Sequence, residues 1–225
     1  MGFKDRALGF KDRGEAGRLL GRRLRPLHLE SPLVLGLPRG GVPVAAEVAA
    51  QLGAPLDVFV ARKVGMPGHE ELGVGAVAEG LSQPILSPMA GEVGVEPRHL
   101  AALAEAARQE VVRRATRYRG GHPLPELAGR DVVLVDDGLA TGVTAEAALA
   151  ALRRRRPNRL VLAVPVCAPE AAARLAGVAD DVVCVQAPAE FFAVGLWYEN
   201  FSQTTDEEVI EALHRDRPGV GHQRR

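Results

Sequence analysis

Lysine is almost missing from this sequence. Of its 28 basic residues only Lys4, Lys11 and Lys63 are lysines and the rest are arginines, which leaves Lys63 as a solitary ammonium in mid-chain. Net charge is missing too, with 28 basic against 28 acidic residues, so bulk electrostatics lend no support to a nucleic-acid partner. No apolar run approaches the roughly 20 residues of a membrane span. The opening MGFKDRALGFKDR has no apolar stretch of the signal-peptide kind. A soluble cytoplasmic protein with no membrane partner is the resulting expectation. There are only two cysteines, Cys167 and Cys184, with no CxxC, and both fall in apolar strand-like runs. They are expected to be buried thiols in a reducing compartment. The six histidines show no HxxxH spacing, and neither a Walker loop nor GxSxG occurs. At 47% hydrophobic and 25% charged, the composition excludes a disordered or collagen-like chain.

What is present is an alternation. A helix is expected from Asp12 to Arg25, where Ala16, Leu19, Leu20 and Leu24 recur at helical spacing until Pro26. LVLGL (33–37) reads as a buried strand, followed by a Gly-rich turn and a helix near 42–52. LDVFVAR (56–62) reads as a second strand, and 64–80 as a glycine-rich mobile loop containing one strand at 73–78. A long helix spans 97–118, with Leu100, Leu103, Ala107, Val111 and Tyr118 on one face. Strands at 131–135, 159–167 and 181–186 then alternate with helices at 142–153 and 169–177. Continuous apolar strands separated by helices imply an α/β fold: a doubly wound, mainly parallel sheet with helices on both faces. One domain covers 1–217, with 1–30 and 187–217 as additions, and 218–225 reads as a loose tail. The repeated GFKDR at 2–6 and 9–13 is too short to be a solenoid.

The chemistry is concentrated in VVLVDDGLATGVT (132–144). An apolar strand runs into Asp136 and Asp137, and then Gly138, Leu139, Ala140, Thr141 and Gly142 form a turn into the helix that carries Thr144. Small residues allow successive backbone N–H groups to converge on one anion, helped by the positive end of the helix. Two adjacent carboxylates can accept hydrogen bonds from a neighbouring diol. A phosphate beside a diol describes a ribose 5-phosphate.

This segment resembles the phosphoribosyl-diphosphate (PRPP) signature of the type I phosphoribosyltransferases: four apolar residues, two acids, small residues, then Thr-Gly. The resemblance implies that the acids hold the ribose hydroxyls and the loop holds the 5-phosphate. GLPRGGV (36–42) is similar to the diphosphate loop of the same family, with Arg39 in the basic place and Gly40 and Gly41 behind it. By that likeness a cis peptide is expected between Pro38 and Arg39. Arg62 and Lys63 stand where family members carry phosphate-binding cations, although a pair of solvated charges at a strand end would read the same. The stretch 64–80 takes the place of the family's closing loop; no role is assigned to His69, Glu70 or Glu71. GVGAVA (73–78) matches GxGxxA without the strand–turn–helix context of a dinucleotide site.

Aromatic residues, scarce elsewhere, gather in EFFAVGLWYENF (190–201). FAVG resembles the base-binding segment of purine phosphoribosyltransferases, which would make Phe192 the stacking residue and Ala193 the backbone reader, with Trp197 as a further candidate. The same aromatics could pack a hood formed by the terminal segments, or a dimer interface. The resemblance implies transfer of the phosphoribosyl group of PRPP to a nitrogen base, a purine being favoured, in a homodimer. Mg²⁺ would lie near Asp136 and Asp137, bound mainly through substrate and water, with Asp137 as base or cation stabiliser and Lys63 on the diphosphate. The alternative is a regulatory protein that senses PRPP or a nucleotide without turnover.

Overall fold

The computed structural model describes residues 9–66, 69–87 and 96–215. Along the chain, α1 (Arg13–Leu24) is followed by β1 (Leu33–Gly36), α2 (Gly41–Leu52), β2 (Leu56–Val58), β3 (Ala61–Met66), β4 (His69–Ala78) and β5 (Ile85–Leu86). Then come α3 (Pro97–Arg119), β6 (Asp131–Val135), α4 (Val143–Arg153), β7 (Arg159–Val166), α5 (Pro169–Leu175), β8 (Asp181–Gln186) and α6 (Asp206–Arg215).

Five strands form one parallel sheet in the order β2-β1-β6-β7-β8. Alternation of side chains divides each strand between two cores. Val34, Val133, Val135, Val161 and Ala163 face a layer that includes Leu20 and Leu24 of α1, Val48 of α2, Val111 of α3 and Val209 of α6. Leu33, Leu35, Val132, Leu134, Leu160 and Leu162 face Leu149 and Leu152 of α4 and Leu175 of α5. Both faces are covered, as the continuous apolar strands imply, and the fold is the doubly wound α/β class expected. No helix among the described residues is long and apolar enough to cross a membrane.

The structure departs from the sequence reading in four places. Residues 56–62, expected as one strand, divide between two sheets: β2 joins the parallel sheet, while β3 pairs with β4 in a separate antiparallel sheet of order β3-β4-β5. Phe59 and Val60 carry the chain across, their N–H groups donating to Gly36 O at 3.0 Å and Glu79 Oε1 at 2.7 Å. The expected strand at 73–78 extends back to His69, and β3 and β4 fill most of the segment read as a mobile loop. Its glycines permit close contact: a Cβ at Gly75 would lie 2.6 Å from Ile85 O. Pro67 and Gly68 lie outside the described residues, as do the first GFKDR copy and the tail 218–225.

The cysteines are the third departure. Cys167 and Cys184 form a disulfide, with Cα atoms 6.4 Å apart. Neighbouring parallel strands create the pairing: Val164 registers with Cys184 and Val166 with Gln186, so the residue after β7 arrives beside β8. A sequence separation of 17 residues conceals this. Fourth, α6 lies within a segment read without secondary structure. Its start is a capping box: Thr205 Oγ1 accepts from Glu208 N at 3.1 Å, and Glu208 Oε2 accepts from Thr205 N at 2.8 Å.

Candidate active site

Strand order reverses between β1, which has β2 on one side, and β6, which leads on to β7 and β8. The loops after β1 and β6 leave the carboxyl ends side by side at this point, where open α/β sheets bind ligands. Leu37 N donates to Val135 O at 2.8 Å, tying one loop to the other strand. Gly40 and Gly41 make the approach possible. A Cβ at Gly41 would sit 2.7 Å from Val135 O and 2.9 Å from Asp136 Cα, and one at Gly40 would overlap Asp137 Oδ2 outright. The Pro38–Arg39 peptide is cis, as the family likeness implied.

Asp136 and Asp137 end β6. Asp136 Oδ1 accepts from Asp137 N at 2.8 Å. Asp137 Oδ2 accepts from both Nε and Nη2 of Arg13, at 2.9 and 2.8 Å. Burial, reinforced by the neighbouring Asp137 charge, pushes the Asp136 carboxyl well above the ordinary carboxylate range. Burial raises that of Asp137 as well, with the Arg13 guanidinium acting in the opposite sense.

Beyond the acids the loop is pinned at Leu139, whose N donates to Val166 O at 2.9 Å and whose O accepts from Ala168 N at 2.8 Å. Gly142 then adopts φ +73°, a left-handed conformation suited to glycine, and begins α4. Thr141 is exposed and Thr144 half-buried. The N–H groups from Ala140 to Thr144 meet no acceptor among the described residues. N–H groups left without an acceptor at a helix N-terminus are able to hold an anion.

Arg39 is half-buried in the first loop, near enough to Tyr118 and Asp206 for its charge to act on both. Arg62 and Lys63 are consecutive on β3 and therefore face opposite sides of the antiparallel sheet. Arg62 is exposed and pairs with Glu110 of α3 at 3.6 Å, whereas Lys63 is half-buried. The two cations therefore leave β3 in opposite directions.

The aromatic segment docks onto the acid loop. Val194 packs against Gly138, where a Cβ would lie 2.8 Å from Val194 Cγ2. Tyr198 Oη donates to Asp137 O at 2.6 Å. Phe192 is 82% exposed, and Ala193 beside it is exposed. Trp197 is half-buried and packs with the Phe10, Ala16, Val166 and Tyr198 cluster. Phe10 bridges to Tyr198, its N donating to Trp197 O at 2.8 Å and its O accepting from Glu199 N at 2.8 Å.

Two residues of this site were not singled out by their sequence context: Arg13, and Tyr198 as a hydrogen-bond donor. The second GFKDR copy supplies Phe10, Asp12 and Arg13 to this region, but its sequence carries no mark of a partner at Asp137.

The fold and site together define an α/β domain with two glycine-containing loops and a carboxylate pair at the switch point of its sheet. Residues 14–200 match the phosphoribosyl transferase domain family, and the chain belongs to that family. Two relatives from Mycobacterium tuberculosis strains, provisionally named phosphoribosyl transferases, are each 47% identical over 210 residues, which is 92% of this chain. The chain spans about half the length of these curated relatives, 47% in each case. The crystal structure of TT1426 from Thermus thermophilus is 48% identical, covers 93% of this chain and 99% of its own, and superposes with a TM-score of 0.78.

Proposed function

We propose that the protein transfers the 5-phosphoribosyl group of PRPP to a nitrogen base and releases diphosphate. The observation that carries this reading is the placement, at one switch point, of an acid pair beside a loop of free N–H groups and a second glycine loop. The loop 138–144 would take the 5-phosphate, and Asp136 and Asp137 the ribose hydroxyls. Arg39 with the N–H groups of Gly40 and Gly41 would take the diphosphate, with Lys63 approaching from β3 and Arg62, on the other face of that strand, held by Glu110.

In the reaction the base nitrogen forms a bond to the anomeric carbon as the carbon–oxygen bond to diphosphate breaks. The electron pair of that bond leaves with the diphosphate. Positive charge grows on the sugar during this exchange, so nearby carboxylates stabilise the transition state more than the ground state. Asp137 would offset the charge or accept a proton from the base, and Asp136 would mainly orient the ribose. Phe192 would stack on the base, Ala193 would offer main-chain groups to its edge, and Trp197 would support the segment from behind. A purine is the acceptor favoured by the FAVG sequence.

The carboxylate oxygens of Asp136 and Asp137 are hard donors that suit magnesium. Among the described residues no cluster of three or more ligating side chains exists, so a magnesium ion would share its coordination with substrate oxygens and water. When bound, it neutralises the diphosphate leaving group.

Turnover of the purified protein with PRPP, Mg²⁺ and a panel of purine and pyrimidine bases tests this reading. Base-dependent diphosphate release is expected. PRPP binding without diphosphate release for any base would overturn the transferase and leave a sensor of PRPP.

A further inference from the structure

We propose that Arg13 is a positioning residue for ribose recognition, holding Asp137 so that one oxygen of each acid is left to grip the sugar diol. The inference rests on the reading of residues 136–144 as the ribose-phosphate site. Its basis is a division of labour among four oxygens. Asp136 Oδ1 is committed to Asp137 N at 2.8 Å. Asp137 Oδ2 is committed to two N–H groups of Arg13 at 2.9 and 2.8 Å, and it abuts Gly40 on its other side. No side chain among the described residues donates to Asp136 Oδ2 or Asp137 Oδ1. Two adjacent carboxylates, each with one oxygen fixed by the protein, offer one acceptor apiece to neighbouring hydroxyls. Without Arg13, rotation of the Asp137 carboxyl would exchange its two oxygens and scatter that geometry.

Arg13 is itself held on every side. Its side chain is only 12% exposed. Its guanidinium lies 4.0 Å from the Phe201 ring centroid, and Nη1 donates to Ser202 O at 2.7 Å. A guanidinium stacked on a ring loses little further entropy in holding a carboxylate through two N–H groups. The backbone at this point is equally constrained. Asp12 caps α1 by accepting from Glu15 N at 2.8 Å, and Phe10 bridges to Tyr198. Gly17 brings α1 so close to α2 that a Cβ there would lie 2.6 Å from Val44 O. An arginine on a loose surface helix would show none of this support.

Calorimetric titration of the full chain with ribose 5-phosphate and, separately, with inorganic phosphate tests the proposal. Both ligands use the phosphate loop, but only the first has the diol. Arg13→Gln should weaken ribose 5-phosphate about tenfold or more, the loss expected when hydrogen bonds to a charged group are broken, while leaving inorganic phosphate unchanged. Arg13→Lys, with a point charge in place of a fork, should fall between Arg13→Gln and the parent. Equal losses for both ligands would mean that Arg13 only supports the fold, and an unchanged affinity for both would mean that it does not position Asp137; either overturns the proposal. The doubly substituted Asp136→Asn, Asp137→Asn protein separates the two levels. If it loses ribose 5-phosphate while Arg13→Gln does not, the Arg13 inference alone fails. If it too binds ribose 5-phosphate normally, the assignment of the site fails and the inference with it.

Discussion

The Tyr198 hydroxyl donates to the main-chain oxygen of Asp137 at 2.6 Å, fastening the aromatic segment to the loop that carries the acids. Burial, and the negative charge of Asp137 beside it, push the phenol well above its ordinary range, so it remains a donor throughout the physiological range. Tyr198→Phe keeps the ring against Phe10 and Phe201 and removes only this bond. The expected cost is about 1 kcal/mol, seen as a fall of roughly 2–4 °C in the thermal midpoint. A midpoint unchanged within error would mean that the bond does not fasten the segment.

Asp136 makes the site expensive to fold. The folded chain holds the Asp136 proton more tightly than the unfolded chain, whose carboxyl titrates near 3.8. As pH rises above that value the unfolded chain ionises first, so folding loses stability until the folded group has ionised as well. Asp136→Asn carries no such charge. It should therefore be more stable than the parent at neutral pH, by about 0.5–2 kcal/mol, with the gap closing as pH falls towards 4. Urea denaturation at a series of pH values measures this, and a gap that widens on acidification would contradict it. The same substitution should abolish ribose 5-phosphate binding.

Phe192 offers a test of the acceptor wall. With 82% of its surface exposed, it has little packing to lose, so Phe192→Ala should change stability by less than about 0.5 kcal/mol. If it stacks on the base, KM for the base should rise several-fold while KM for PRPP stays level. A fall in stability without change in KM for the base would assign Phe192 to packing.

Arg119, at the end of α3, is 5% exposed and contacts Glu79 and Asp57, the latter at 3.5 Å. This group joins α3 to β2 and to the end of β4. Arg119→Met removes the guanidinium that faces these two carboxylates and should cost about 3 kcal/mol. Adding Glu79→Gln to Arg119→Met should recover part of that loss, which chemical denaturation would detect as an upward shift in midpoint relative to Arg119→Met alone.

The legible parts of the chain were those where one physical pattern acts without competition. β6 spans 131–135, the five residues expected, because an unbroken apolar run followed by two acids leaves a strand no other place to end. β8 matches at 181–186 for similar reasons. The division of 56–66 between two sheets was not legible, because Leu56, Val58, Phe59 and Val60 are all buried and no periodicity marks where the chain changes sheet. Glycine misled in 64–80, where close strand approach looks the same as loop flexibility. The acid pair and both glycine loops were readable because their chemistry is local. Arg13 was not, since its partner lies 124 residues away and nothing in GFKDR points there.

That long separation has a consequence for synthesis. Arg13 contacts Ser202 across 189 residues, and the Asp137 carbonyl waits for Tyr198, 61 residues further along. On a ribosome, with domains folding as the chain emerges, the parallel sheet is complete once β8 has appeared, yet Asp136 and Asp137 still lack their outer wall. A nascent or truncated chain ending before Tyr198 would hold a folded sheet that recognises ribose poorly. Competence for the substrate would then be conferred by the aromatic segment 190–201, which emerges after the sheet.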